Sequence, residues 1–72
     1  MAMHFVIEHN VREDGIVNVA ETARSNKAQA VAYYHDRFSK LATNDQFVRS
    51  SLMLVDADLN QLDYDLIIPN EE

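Results

Sequence analysis

The most suggestive chemistry in the chain is the string Asp56-x-Asp58-x-Asn60, three oxygen-bearing side chains at alternate positions. That spacing is how a helix–loop–helix calcium site begins, but such a loop needs glycine at the sixth position and a closing glutamate at the twelfth. Gln61 and Ile67 stand there instead, so the string is expected to be a polar turn. Three histidines raise the question of a metal. His4 and His9 differ by five and project to opposite faces of a strand, His35 stands apart, and no cysteine is available as a thiolate ligand. No metal and no cofactor are expected. A meeting of His9, His35 and Tyr34 between a helix and a sheet is kept as a minor ligand-binding alternative. Ser25, Ser39, Ser50 and Ser51 lie on no glycine-flanked elbow, and one glycine makes no phosphate-cradling loop. No catalytic residue is assigned, and an enzyme is not expected.

Charge is unevenly placed. Of a net charge of −6, residues 1–49 contribute none, because their acids and bases cancel. Asp56, Asp58, Asp63, Asp65, Glu71 and Glu72 carry all of it, with no base after Arg49. Such a balance disfavours direct binding to nucleic acid. Asp56, Asp58, Asp63 and Asp65 form a candidate acidic surface, read first as solvated edge and alternatively as a decoy for a nucleic-acid-binding protein. Asp63 and Asp65 would lie ~7 Å apart on one strand face.

These groups must be positioned by one small domain of 72 residues. At this length only ~60% of the unfolded chain's surface is buried, and without cysteine no disulfide can help. The chain shows no apolar run of membrane-span length and no basic-then-apolar leader, so no membrane association and a cytoplasmic setting are expected. Met3 is the expected native start, behind a short extension.

Phe5, Ile7, His9 and Val11 alternate with Glu8 and Asn10, which predicts a strand over 4–11. Asp14-Gly15 supplies a tight turn, and Ile16, Val17 and Val19 predict the return strand over 16–23. Asn26 with Gln29 suits a helix start, and 26–42 lacks Gly and Pro. Val31, Tyr34, Phe38 and Leu41 form its apolar stripe, with Phe38 expected at the centre of the core and Tyr33 facing outward with Arg37 along its ring. Residues 47–55 read as a strand apolar on both parities and 62–68 as a last strand, followed by a frayed tail at 69–72.

The fold class is therefore α+β: strand-strand-helix-strand-strand, an antiparallel sheet of about four strands with one helix on one face. That order is common among small bacterial and phage-encoded proteins, an association of fold alone. A helix ~10 Å across hides about half of one face of a sheet ~19 Å wide. The uncovered side points to a non-catalytic protein-interaction module acting as a homodimer or assembly subunit. Val6, Tyr33, Met53, Val55 and Ile67 are its candidate interface.

Overall fold

The computed structural model describes residues 3–44 and 46–69. The proposed extension before Met3, Asp45, and most of the expected tail lie outside these residues. The element order is β1 (His4–Arg12), β2 (Val17–Arg24), α1 (Lys27–Ala42), β3 (Phe47–Val55) and β4 (Gln61–Ile67). The four strands form one antiparallel sheet in the order β2-β1-β3-β4 with the helix packed on one face, as the α+β reading expects. The Cα envelope measures 40 × 20 × 14 Å, a slab one helix and one sheet thick.

Local chemistry sets the boundaries. At the first hairpin Gly15 has φ 90°, a left-handed backbone that favours glycine, and its N–H donates to the Arg12 carbonyl at 2.9 Å. Ile16 belongs to this turn, so β2 begins at Val17. The Asn26 side chain accepts from the Gln29 N–H at 2.8 Å and caps α1, which starts one residue later than expected. Between β3 and β4, Asp56 Oδ1 accepts from the N–H groups of Asp58 and Asn60, both at 2.9 Å. The calcium-like string is thus a turn whose first carboxylate serves its own backbone. Those bonds hold the Asp56 carboxyl below its usual range.

Two register shifts adjust which side chains meet. One lies between Val11 and Arg12, where Arg12 pairs with Phe47. It releases Phe47 from strict alternation, and Phe47 packs against the core beneath the helix. The second lies between Leu54 and Val55, opposite β4.

The core joins Val6, Leu52, Leu54 and Ile67 of the sheet to Ala30, Tyr34 and Leu41 of the helix. Two expectations are corrected here. The buried line of α1 runs Ala30, Tyr34, Leu41, and Phe38 stands at its flank, 38% exposed. The displacement follows from Arg37, whose guanidinium turns inward to Glu8 with bonds of 2.8 and 3.0 Å. Arg37 is therefore not on the Tyr33 ring. Arg24 is, 4.8 Å from the centroid.

The second correction concerns polarity. Val6, Glu8 and Asn10 are buried on the helix side of β1, whereas Phe5, Ile7, His9 and Val11 take the other side. The Glu8 carboxylate faces the helix because it is satisfied there: Asn10 Nδ2 donates to Glu8 Oε2 at 2.6 Å, and Arg37 neutralises the charge, while Asn10 Oδ1 is buried with no partner among the described residues.

Candidate interaction face

With the helix over Val6, Leu52 and Leu54, the strand pleat assigns the opposite parity to the uncovered face. Pairing registers arrange that face as rows across the sheet. Ala23, Phe5 and Val55 make one row. Glu21, Ile7, Met53 and Tyr64 make the next, then Val19, His9, Ser51 and Leu66, and finally Val17, Val11 and Arg49. Val17, Val19, Tyr64 and Leu66 are exposed large apolar side chains, and Phe5, Ile7, Val11 and Met53 are half-buried. The charged members of these rows are Glu21 and Arg49. The surface dips in a shallow depression of about 370 Å³ whose lining includes His9, Arg49, Tyr64 and Leu66. A wider depression at the first hairpin is walled by Arg12, Glu13 and Asp14 and is open to solvent. Among the described residues its lining gathers no metal-ligand set.

The five interface candidates divide. Met53 stands in the open face, half-buried, and Val55 lies in the same face but is already buried. Val6 and Ile67 are corrected: both are core residues beneath the helix, 1% and 5% exposed. Val6 pairs with Leu54 and Met53 with Ile7, so Val6 and Met53 are on opposite faces. Tyr33 is also on the helix side, where it packs against the core and its hydroxyl accepts from Thr22 Oγ1 at 3.2 Å. The sequence reading missed Val17, Val19, Tyr64 and Leu66. Their signal was present as period-2 alternation, most clearly Tyr64 and Leu66 against Asp63 and Asp65. Alternation separates two faces without saying which one a helix will cover.

The acidic candidates serve different tasks. Asp63 and Asp65 do lie opposite Tyr64 and Leu66, yet this is the helix side. Asp65 is not simply solvated: Tyr34 donates its hydroxyl proton to Asp65 Oδ2 at 2.6 Å. Asp63 Oδ1 accepts from the Tyr64 N–H at 2.8 Å, Asp56 braces its turn, and Asp58 is exposed.

The His9–His35–Tyr34 constellation does not assemble. His9 is exposed on the open face, Tyr34 is buried on the other, and His35 packs edge-on against Tyr34 while remaining exposed. Among the described residues, no three His, Cys, Asp or Glu side chains gather where they could hold a metal. Among the described residues, no helix is long and apolar enough to cross a membrane.

Burial, the bond to Asp65 and the nearby negative charges of Asp65 and Asp63 all push the Tyr34 hydroxyl above its usual range. A raised value in the folded state means a contribution that is complete below the ordinary tyrosine range near pH 10 and lost as pH rises through the folded value. Tyr34→Phe is expected to cost about 1.5–3 kcal/mol at pH 7, as for hydrogen bonds to charged groups. It should also flatten stability between pH 9 and about 11, measured by urea melts. Equal alkaline losses in parent and variant would contradict the assignment.

In comparisons with known proteins, no family model, curated protein or solved structure matches this chain, so its functional reading rests on the geometry of the open face.

Proposed function

We propose that the protein is a small non-catalytic interaction module of the cytoplasm whose open sheet face pairs two copies into a homodimer. The observation that carries this reading is the composition of that face: apolar side chains on all four strands, two charged residues, and no described element of the chain over it. Four strands ~4.8 Å apart and about seven residues long give a plan area of about 450 Å² per copy. Side-chain relief adds to that, so pairing removes on the order of 1,000 Å², the lower edge of specific interfaces. Contiguous apolar patches beyond a few hundred Å² are often interaction sites on soluble proteins, and two-fold pairing is the commonest closure.

The acid positions give less support to the decoy alternative. Three of its four carboxylates are engaged within the chain, by a turn, a neighbouring N–H or Tyr34.

Sedimentation equilibrium from low to high micromolar concentration tests the proposal. A mass approaching twice 8.3 kDa is expected, returning to the single-chain value in Met53→Asp while the helical circular dichroism persists. A single-chain mass throughout the range would refute the dimer.

A further inference from the structure

We infer that the second copy docks about a two-fold axis lying between the two sheets and passing over His9, so that Glu21 of each copy meets Arg49 of the other. The inference rests on the open-face dimer and adds its geometry. Glu21 on β2 stands opposite Ile7, and Arg49 on β3 stands opposite Val11. On β1, which runs between those strands, His9 is midway between Ile7 and Val11. His9 is therefore the midpoint of the Glu21–Arg49 line, both along the strands and across them. Both residues are exposed, and neither forms an ion pair among the described residues.

A two-fold pairing of like faces exchanges each position with its mirror image across the axis. Three axes through His9 can be compared. An axis along β1 sets Glu21 on the partner's Met53 and Arg49 on the partner's Val17. An axis across the strands sets Glu21 on the partner's Val17 and Arg49 on the partner's Met53. Each of these buries two charges per copy against apolar side chains, which is strongly unfavourable. The third axis is perpendicular to the Glu21–Arg49 line and turns both mismatches into complementary pairs. Two strand spacings of ~4.8 Å and four residues of ~3.4 Å separate Glu21 from Arg49. The third axis then makes the strands of the two copies cross at about 70°, close to the orthogonal class of sheet packing. The occupant is thus a second copy of this chain, because its face supplies the acid where this one presents the base.

Charge reversal separates the pairing from the dimer itself. Glu21→Arg alone places bases against bases, and Arg49→Glu alone places acids against acids. Each single variant is expected to self-associate at least tenfold more weakly than the parent. Mixed one to one, they should form a heterodimer near parental affinity, because one copy carries base at both positions and the other acid at both. Both variants stay net negative, so recovery cannot come from overall attraction. The double variant Glu21→Arg/Arg49→Glu should also recover. Circular dichroism of each variant checks folding, and the substituted side chains are exposed.

If the parent dimerises and Met53→Asp dissociates it, but the mixture does not recover, the axis over His9 is wrong and the open-face dimer stands. A monomeric parent overturns both.

Discussion

Arg37→Met is expected to destabilise the protein by about 3 kcal/mol at pH 7, and the loss should shrink as the solution is acidified. Glu8 lies at 6% exposure beneath the helix and receives two bonds from Arg37 and one from Asn10. Burial pushes the Glu8 carboxyl up, while the bonds from Arg37 and Asn10 and the Arg37 charge pull it further down, leaving it below its usual value. A carboxyl lowered by folding contributes stability that is present above its unfolded value near pH 4.5. That contribution is lost as pH falls through the lower folded value. Removing the guanidinium leaves a buried carboxylate without its counter-charge, the circumstance in which a broken buried pair costs about 3–5 kcal/mol. The Arg37 side chain retains 27% exposure, which places the expectation at the lower end. In the variant, burial dominates and the carboxyl rises, so protonation relieves the strain and the two stability curves converge between pH 6 and about pH 4. Urea melts across that range are the measurement. A constant difference between parent and variant at every pH would mean that Arg37 acts only through its packing.

The same pair explains where the sequence was readable and where it was not. Turn chemistry was legible because it is local: Asp14-Gly15, Asn26 with Gln29, and Asp56 each act within a few residues of themselves. Element order followed from apolar periods and the positions of Gly and Pro. Face assignment did not, because a strand's alternation separates two sides without saying which one the helix covers. Glu8 and Asn10 looked like the solvent side of β1, and their burial depends on a guanidinium 29 positions away in sequence from Glu8. Once Arg37 turns inward, Phe38 moves to the flank, Val6 joins the core, and Phe5, Ile7 and Val11 face outward. The outward placement of Phe5, Ile7 and Val11 enlarges the open apolar face. Met53 stands on the open face because it has the parity opposite Leu52 and Leu54, the more deeply buried set.

Leu52→Ala is expected to cost about 3–5 kcal/mol, and Phe38→Ala only about 1–2 kcal/mol, although phenylalanine is the larger side chain. Leu52 is 0% exposed on the inner strand β3, flanked across the sheet by Glu8 and Asp65 and covered by the helix. Truncation there removes a buried isobutyl group and leaves a cavity that a rigid sheet cannot close, the origin of the 2.7–5 kcal/mol seen for buried leucines. Phe38 already spends over a third of its surface in water, and its loss opens a notch rather than a void. For a domain whose whole stability is on the order of 5–10 kcal/mol, the first substitution should leave a substantial unfolded fraction at 37 °C and the second should not. Both variants belong at one fixed protein concentration, because the proposed dimer would stabilise the folded chain by mass action. The order of the two urea midpoints decides the phase of the helix. A midpoint for Phe38→Ala below that of Leu52→Ala would return Phe38 to the centre of the core and rotate Arg37 away from Glu8. Such a rotation would also remove the convergence of the Arg37→Met curves at low pH, so the two experiments test one arrangement from its apolar and its charged side.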